Sequence, residues 1–433
     1  VNRDLGARGL LTEDQAVNGI EGDKWIRPLN MHTSPGYPYV LAGGKEMYLL
    51  GEEKKVMSDL LLKQFQKREE EALKGNVVQA VIVDCLKDER LPNAKVDIGK
   101  TRIFSNCPLD LNLVMRKYFL KFLAHMMDHH IDGESSVGLN VHSSDWECLY
   151  KRLKAKGQHW IGGDYEAWDK RTPYQLAMAL LPIIEDFYSR FEDYHPSHAI
   201  LRKTLIDQVF TCTRLAIGDE PVLYRVHQSM PSGIPLTAVY NSLINALLFR
   251  VVYTLLAREQ GLSITRAVNS YERFVSFAAY GDDHIVRVSE VVFPWFNMRS
   301  ISRKMREFGI GYTAPDKSDY MPEELEESKL TYLKRGFRQS MGRVDAPLPI
   351  ENIIDILSWV HAQNFQEAME ATKMAVQSVF LELTHHPESV FNQWYHDIIM
   401  ACAIRGINVP VCLYRDALKM RLESEIDLTC VDF

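Results

Sequence analysis

The sequence lacks the features that mark membrane-spanning, secreted and disulfide-rich proteins. Its apolar runs stay short of the ~20 residues that a helix needs to cross a bilayer, and its N-terminus has no signal-peptide order of basic, apolar and small residues. The seven cysteines are scattered without a CxxC pair, which argues against a disulfide framework and a structural zinc site. We therefore expect no transmembrane segment, and reduced, mostly buried thiols in a cytosolic setting.

Repeats and low-complexity segments are also absent, and so is an excess of basic charge. The 433 residues are 46% hydrophobic and 25% charged, with a formal net charge of −7, which is typical of a soluble globular protein of two or three domains. This charge argues against a wholly basic surface, but nucleic acid binding depends on local charge. Local basic charge is present, because residues 85–121 hold eight Lys and Arg residues against four acidic ones.

Mixed helix and strand patterns predict an α+β protein. Residues 1–57 are rich in Gly and Pro and are expected to be mostly loop, whereas apolar residues recur at helical spacing from Pro349 onward. Between them the patterns predict helices at 58–74, 109–128, 145–155, 172–187, 235–257 and 294–308, and strands at 77–86, 159–165, 274–280 and 284–289. The 172–187 helix is expected to begin with a capping box at Thr172 and to kink near Pro182.

Two adjacent carboxylates at the tip of a predicted hairpin are the strongest local signal. Gly281-Asp282-Asp283 separates two apolar strands, and adjacent carboxylates in a packed β-tip are tolerated best when a cation neutralises them. Asp164 ends another predicted strand, so one carboxylate from each element can bridge two Mg²⁺ ions about 3.5–4 Å apart. Such a pair serves in-line displacement on a triphosphate. An Asp-rich turn in solvent, and a turn cap at Asp164, are the alternatives from local sequence.

Seven short motifs, in one order from Thr33 to about Phe337, resemble those of right-hand RNA-dependent RNA polymerases of the picornavirus-like group, of the insect iflavirus or dicistrovirus type. In chain order they are Thr33-Ser34-Pro35-Gly36-Tyr37-Pro38-Tyr39, Lys87-Asp88-Glu89-Arg90 with Lys95, Lys100 and Arg102, Asp164 with Asp169, Ser232-Gly233 with Thr237 and Asn241, Gly281-Asp282-Asp283, Pro315-Asp316-Lys317-Ser318, and Leu333-Lys334-Arg335-Gly336-Phe337. The resemblance implies an α+β right hand with an antiparallel palm sheet plus helices. The implied boundaries are fingers 1–159, palm 160–176, a fingers insertion 177–228, the rest of the palm 229–345, and a helical thumb 346–433.

The resemblance also implies a role for each matched residue. Asp164, Asp282 and Asp283 are expected to hold two Mg²⁺ or Mn²⁺ ions, and Lys317 is expected to give a proton to the leaving pyrophosphate, a role that typically contributes ~10²–10⁴-fold. The predicted nucleotide-binding residues are Lys95, Lys100, Arg102, Asp169, Ser232, Thr237 and Asn241. The predicted RNA-binding residues are Thr33, Ser34, Gly36, Tyr37, Lys87, Gly233, Lys334 and Arg335.

Several of these roles also have a physical basis in the residue types. Thr237 and Asn241 are four residues apart on a predicted helix and share one face, so with Asp169 they can line the ribose. A site that hydrogen-bonds the 2′-hydroxyl rejects a sugar that lacks it, because buried polar groups are then left unpaired. Arg102 can bind phosphate bidentately, while Lys95 acts as a point charge. A solvated charged face for the basic stretch, and a plain surface lysine at 317, are the alternatives.

The function expected from these features is RNA-templated synthesis of RNA that replicates a positive-strand virus genome. The expected partners are template and product RNA, ribonucleoside triphosphates and a peptide or small protein primer, at membrane-associated replication complexes in the host cytoplasm. Because the chain begins with Val1 and places few residues before Thr33, we expect a piece of a longer precursor that lacks part of the fingers–thumb bridge.

Two other functions compete with this interpretation. A reverse transcriptase shares the hand-like fold and the paired aspartates, but such enzymes usually place a bulky aromatic residue near the sugar, where this chain offers Asp169 and Asn241. A non-catalytic RNA-binding scaffold is disfavoured by the intact set of Asp164, Asp282 and Asp283.

Overall fold

The structure, a computed structural model, describes residues 6–91, 93–218, 220–318, 320–340, 342–409 and 412–423. Within these residues the helices are α1 Glu13–Asn18, α2 Asp59–Leu73, α3 Asn93–Val96, α4 Leu109–Asp128, α5 Asp145–Lys154, α6 Trp168–Arg171, α7 Tyr174–Ala179, α8 Leu181–Tyr188, α9 Pro196–Phe210, α10 Thr237–Glu259, α11 Ile264–Phe274, α12 Met298–Glu307, α13 Ile350–Asp355, α14 Phe365–Leu383, α15 Glu388–Ile404 and α16 Tyr414–Glu423. The strands are β1 Leu49–Leu50, β2 Val56–Met57, β3 Val81–Leu86, β4 Ile103–Asn106, β5 His159–Ile161, β6 Asp164–Tyr165, β7 Thr213–Ala216, β8 Val222–Arg225, β9 Val275–Tyr280, β10 Asp283–Val288, β11 Tyr312–Thr313, β12 Arg338–Ser340 and β13 Arg343–Asp345.

A three-stranded antiparallel sheet, in the order β5-β10-β9, forms the centre of the molecule. The hairpin β9–β10 turns at Gly281, whose φ of +66° is a conformation that glycine adopts without a side-chain penalty. Val286 of β10 pairs with Ile161 of β5 and with Phe277 of β9. All three residues are buried. The apolar strands predicted on both sides of the turn therefore form part of the protein core.

The strand predicted over 159–165 is divided into two pieces with different partners. His159–Ile161 joins the central sheet, whereas Asp164 and Tyr165 pair with Thr313 and Tyr312 in the separate β6–β11 ladder. Gly162 and Gly163 lie between the two pieces. The break brings Asp164 beside the end of the hairpin instead of continuing along its edge.

A second sheet, in the order β4-β3-β7-β8, packs with α2, α4 and α9. The β3–β7 pair is parallel and the other two pairs are antiparallel. Helix α2 begins where the sequence predicts, because the Ser58 hydroxyl accepts a hydrogen bond from the Leu61 amide at 3.4 Å. Helix α4 matches the predicted 109–128 segment, and most of its side chains are buried. The edge strand β4 of this sheet therefore faces the centre of the molecule, and α2, α4 and α9 support the sheet.

The C-terminal helices α13 to α16 form a third unit with a core of its own. Val379, Phe380, Leu383 and Phe391 are among its buried residues. The helical pattern predicted after Pro349 is confirmed.

Two local predictions were wrong. The Thr172 hydroxyl donates to the Trp168 carbonyl at 2.7 Å rather than capping a new helix, whereas the kink predicted near Pro182 is present as a break at Leu180 between α7 and α8. The helix predicted from residue 294 begins only at Met298, because the Asn297 side chain caps it by accepting from the Ser300 amide at 3.1 Å. In both places contacts specific to this fold outweigh the local sequence pattern.

Among the described helices, α10 has the length and the apolar composition of a membrane-crossing helix. However, 67% of its most apolar stretch is buried inside the protein, and it packs against β9, α11 and α12. It is the core helix of the central unit. The six cysteines in the described part of the chain are free, as predicted, and Cys430 lies outside that part.

Candidate active site

Three carboxylates meet at one cavity of about 360 Å³. Pairing of β6 with β11 places Asp164 on one wall, the hairpin turn places Asp282 on another, and Asp283 begins β10. Lys334 also lines the cavity. The structure therefore brings together the three residues that the sequence assigns to metal binding.

The electrostatics of this cavity favour a bound cation. The pKa of Asp283 is raised to about 6, chiefly by burial and also by the charges of Asp282 and Asp164, although an amide hydrogen bond from Leu333 at 2.8 Å works against the shift. The pKa of Asp282 is also raised, chiefly by burial and then by the negative charges of Asp164 and Asp169. Carboxylates in this state are stabilised by a divalent ion, and their oxygen ligands suit Mg²⁺ or Mn²⁺. The residues present therefore fit the metal ions that the sequence predicts.

Lys317 lies against the cluster in a left-handed conformation, with φ of +57°. Its Nζ is 2.8 Å from Asp164 Oδ2. This contact raises the pKa of Lys317, so the ammonium remains protonated at neutral pH. The side chain is otherwise exposed, which leaves it free to turn toward a bound triphosphate. The ammonium occupies a cation position beside Asp164.

A layer of buried polar side chains supports the Gly281–Asp282 turn. The Ser242 hydroxyl accepts from the Gly281 amide at 2.8 Å, and Asn245 donates to the carbonyls of Gly281 and Asp282 at 3.2 and 3.1 Å. His284 also donates from Nδ1 to the Asp282 carbonyl, at 3.0 Å. Ser242, Asn245 and His284 are not among the site residues predicted from the sequence. The position of Asn245, four residues after Asn241 on the same helix, was the available signal.

The predicted ribose-binding residues differ in their hydrogen bonding. Asn241 is 8% exposed, and its Oδ1 has no hydrogen-bond partner among the residues that the structure describes. The Thr237 hydroxyl, in contrast, donates within its own loop to the carbonyls of Pro231 and Ile234, each at 3.0 Å. Asp169 is exposed on α6. A buried acceptor without a partner is costly, so Asn241 is the one of the three with a buried acceptor left available. None of the three is among the described residues that line the carboxylate cavity.

The Ser232-Gly233 loop is joined to the edge strand β4 of the second sheet. Ser232 Oγ accepts from the Ser105 amide at 2.9 Å, and Gly233 forms a parallel bridge to Asn106. A Cβ at position 233 would lie 2.0 Å from the Ser105 carbonyl oxygen, so only glycine fits. The loop is thereby held between β4 and the start of α10.

The predicted nucleotide-binding residues Lys95, Lys100 and Arg102, and the predicted RNA-binding residue Lys87, lie in the segment between β3 and β4, with Lys95 on α3. Lys95 and Lys100 are exposed and Lys87 is half-buried. Arg102 is exposed, but its Nε donates to Glu89 Oε1 at 2.7 Å and Oε2 at 2.9 Å. Arg102 must exchange this carboxylate for phosphate if it binds nucleotide, whereas Lys95 and Lys100 need no such exchange.

The predicted template-entry residues are packed against the start of α4. Ser34 accepts from the Gly36 amide at 3.2 Å, and the hydroxyl of Thr33 accepts from the ammonium of Lys45. Gly36 is buried against the backbone of Cys107, and Tyr37 is half-buried at a separate cavity of about 400 Å³. Of the four residues predicted to bind RNA here, Thr33 and Ser34 are exposed. The structure does not bring these four residues into the carboxylate cavity.

The assignment of Arg335 to RNA binding is corrected by the structure. Its side chain is buried and forms a two-pronged ion pair with Glu382 of α14, at 2.8 and 2.7 Å, and it also donates to the Ala346 carbonyl at 2.9 Å. A guanidinium engaged in this way cannot reach an RNA backbone. Lys334, its neighbour, is exposed and lines the carboxylate cavity, so it retains the predicted role.

Comparisons with known proteins agree with this geometry. Residues 9–398 match the family model described as viral RNA-dependent RNA polymerase. The chain is 32% identical to the replicase polyprotein of acute bee paralysis virus (strain Rothamsted), over 89% of the chain and 20% of the polyprotein. It is also 32% identical to the cricket paralysis virus replicase polyprotein, over 92% of the chain and 23% of the polyprotein. The cherry rasp leaf virus RNA1 polyprotein is 31% identical, over 96% of the chain and 19% of the polyprotein. The chain thus spans about a fifth of the length of these relatives.

A solved structure has the same architecture. The sicinivirus 3Dpol RNA-dependent RNA polymerase matches with a TM-score of 0.75 at 17% identity, covering 97% of this chain and 83% of that chain. At this identity the likeness shows the fold, and the predicted α+β right hand is confirmed. The boundaries that the sequence suggests for fingers, palm and thumb stay predictions.

Proposed function

The chain belongs to the viral RNA-dependent RNA polymerase family, and from this membership we propose that it extends an RNA strand on an RNA template from ribonucleoside triphosphates. The observation that carries the proposal is the convergence of Asp164, Asp282 and Asp283 on one cavity, with their negative charge largely uncompensated. The family uses divalent metals. We propose two Mg²⁺ ions, or Mn²⁺, held by these three carboxylates.

The chain's own residues position the reactants around that cavity. When bound, the metal ions supply activation of the 3′-hydroxyl and neutralisation of the triphosphate. Asp164 and Asp282 provide oxygens from two separate β elements, and Asp283 is oriented by the Leu333 amide. Lys317 holds a proton at Nζ, and from there it can protonate the leaving pyrophosphate.

Sugar selection is proposed to depend on Asn241. Its buried Oδ1 lacks a partner, and a 2′-hydroxyl that donates to it would satisfy that acceptor. A deoxyribose would leave the acceptor unpaired, which disfavours dNTP. This feature supports an RNA product over the reverse transcriptase alternative.

The virus type and the surroundings of the enzyme are further proposals. The acute bee paralysis and cricket paralysis virus polyproteins support a dicistrovirus-like source; no such support exists for an iflavirus among the relatives named above. We also propose a peptide or small protein primer, and replication complexes on host cytoplasmic membranes. The similarity to replicase polyproteins supports a role in copying a positive-strand genome.

Elongation from oligo(U) on poly(A) tests the proposed activity. Asp282→Asn should lower the extension rate by about 10³-fold, because a metal ligand is lost, with little change in thermal stability. Asp186→Asn is a matched control, since that carboxylate is exposed on α8 and pairs only with Arg190 within the described residues. Equal activity of wild type and Asp282→Asn would refute the metal assignment. RNA binding without extension, in the wild type with either metal, would favour the scaffold, and equal use of dNTP would favour a reverse transcriptase.

A further inference from the structure

A chain of buried hydrogen bonds connects the two β elements that carry the metal-binding carboxylates. Tyr165 follows Asp164 in β6, and its hydroxyl is 2.8 Å from Asn245 Oδ1. The amide nitrogen of Asn245 is 3.2 Å from the Gly281 carbonyl and 3.1 Å from the Asp282 carbonyl. Tyr165 is 7% exposed and Asn245 is fully buried. The chain therefore runs from the neighbour of one carboxylate to the backbone of the other.

The direction of each hydrogen bond in this chain follows from the chemistry of its ends. The carbonyls of Gly281 and Asp282 can only accept, so the group of Asn245 that faces them is the NH₂. The amide oxygen then faces Tyr165, and the hydroxyl of Tyr165 must donate to it. Without that hydroxyl, the buried Asn245 amide oxygen would lose its donor, and the amide group would lose one of the contacts that fix its position.

Two other residues also hydrogen-bond to the Gly281–Asp282 turn. Ser242 holds the Gly281 amide, and His284 shares the Asp282 carbonyl. Of the described residues that hold the turn, Asn245 is the one hydrogen-bonded directly to a β6 side chain. His284 contacts the Tyr165 ring and bonds to the hydroxyl of Tyr312, the strand partner of Tyr165. Asn245 is therefore the direct side-chain hydrogen-bond link between β6 and the Gly281–Asp282 turn among the described residues.

From this geometry we infer that Tyr165 and Asn245 are a positioning pair that fixes the two metal-binding aspartates at the spacing a divalent ion needs. The inference deepens the proposed function and rests on it. Neither side chain touches substrate or metal in this role. Residues that orient metal ligands from behind commonly change metal affinity about 10–100-fold when they are removed.

The two single substitutions Tyr165→Phe and Asn245→Asp interrupt the chain in different ways. Tyr165→Phe removes the hydroxyl and keeps the ring in its aromatic packing with Trp168 and Tyr312. Asn245→Asp keeps the side-chain shape but cannot donate to the two carbonyls. Tyr253→Phe is the matched control, because it removes a hydroxyl from the same helix α10 that contacts Ser270 instead, at 2.9 Å.

The test is Mn²⁺ binding to the metal-free protein, followed by electron paramagnetic resonance without RNA or nucleotide, together with melting temperature. Tyr165→Phe should raise the Mn²⁺ Kd about tenfold, with a melting temperature equal to that of Tyr253→Phe. Tyr165→Phe with Asn245→Asp should be little worse than Asn245→Asp alone, because the chain acts as a unit.

The outcomes separate this inference from the proposed function. A wild type that binds no Mn²⁺ would refute the metal site itself. A wild type that binds Mn²⁺, with Tyr165→Phe binding equally well, would refute the positioning pair and leave the metal site standing. A fall in melting temperature without a change in Mn²⁺ Kd would show that the hydrogen bonds serve folding alone.

Discussion

Two carboxylate clusters in this protein differ in how their negative charge is met. In the cavity at the hairpin, Asp164, Asp282 and Asp283 face one another, and the single side-chain ion pair among the described contacts of the three is that of Asp164 with Lys317. At the junction with the C-terminal helices, Glu382 accepts from Arg335 at 2.7 and 2.8 Å.

The junction cluster extends beyond that ion pair, and its carboxylates Glu382 and Asp345 are both paired with arginines. Asp345 accepts from Arg338 and Arg421, each at 2.7 Å. His385 accepts at Nδ1 from the Ala346 amide at 3.1 Å, so its Nε2 carries the proton and donates to His142. Although His142, Glu382 and His385 lie as close together as metal ligands, the His385 lone pair is already used.

The pKa of Asp283 and the pKa of Glu382 shift in opposite directions, because the two carboxylates differ in the groups that surround them. The pKa of Asp283 is raised to about 6, since burial and like charges favour its neutral form. The pKa of Glu382 is lowered, because the hydrogen bonds from His142 and Arg335 outweigh its burial. Uncompensated charge thus marks a site that needs a ligand, whereas fully paired charge marks a structural joint.

Removing the charge of Glu382 is the strongest way to test this contrast. Glu382→Gln leaves the buried guanidinium of Arg335 without a counter-charge, and such a loss costs about 3–5 kcal/mol. We expect a decrease of that size in the free energy of unfolding, measured by urea denaturation followed by circular dichroism. Glu326→Gln, at an exposed pair with Lys329, should change it by about 0.5 kcal/mol or less. Full stability of Glu382→Gln, with primer extension lost, would make the junction a functional site and end the contrast.

Asn241 extends the comparison from charge to neutral hydrogen bonding. Its buried Oδ1 lacks a hydrogen-bond partner among the described residues, just as the hairpin carboxylates lack sufficient positive charge. The Thr237 hydroxyl, in contrast, is hydrogen-bonded within its own loop. Asn241→Ala should therefore reduce the preference for rNTP over dNTP about tenfold, the equivalent of one hydrogen bond, in competitive single-nucleotide incorporation. Thr237→Val should slow both nucleotides without changing their ratio. An unchanged ratio in Asn241→Ala would reject the sugar-reading role.

The sequence predicts the carboxylate site because motif order and strand-end position are both local properties. Asp164 ends a strand and Asp282 lies in a hairpin turn, and those two facts alone place them near one sheet. The sequence does not predict that Arg335 is buried, because its partner Glu382 lies 47 residues away. Nothing in the local Lys334-Arg335 sequence distinguishes an exposed arginine from one that is buried in an ion pair. The partner of Arg102, Glu89, is similarly a matter of tertiary geometry.

Errors in the helices have the same physical origin. Thr172 fits a capping pattern, yet the Trp168 carbonyl four residues earlier is a nearer acceptor once α6 has formed. Tyr165 and Asn245 were missed because each resembles an ordinary core residue, and only the folded structure brings them into contact. Local rules therefore identify residues that carry chemistry, and long-range packing decides which groups support them.

The smallest expected effect concerns the pH dependence of the two clusters in metal-free protein. Asp283 has its folded-state pKa raised to about 6, so at pH 7 its ionised form weakens the fold relative to Asp283→Asn. As pH falls through 6 the folded protein binds a proton before the unfolded chain does, and the deficit shrinks. Between pH 7 and pH 5 we expect the difference in unfolding free energy between Asp283→Asn and wild type to decrease by about 1 kcal/mol.

Glu382 has the opposite sign and provides the control for that measurement. Its lowered pKa contributes stability that is fully present above the pKa of an unfolded glutamate and is lost only in more acidic solution. The difference between wild type and Glu382→Gln should accordingly stay constant from pH 7 to pH 5, while that for Asp283→Asn changes. Mn²⁺ at saturation should remove the Asp283 effect, because a bound cation holds the carboxylate ionised. The two differences in unfolding free energy could instead move in the same direction with pH. The two clusters would then not differ in charge compensation, and the electrostatic argument for a metal in the hairpin cavity would fail.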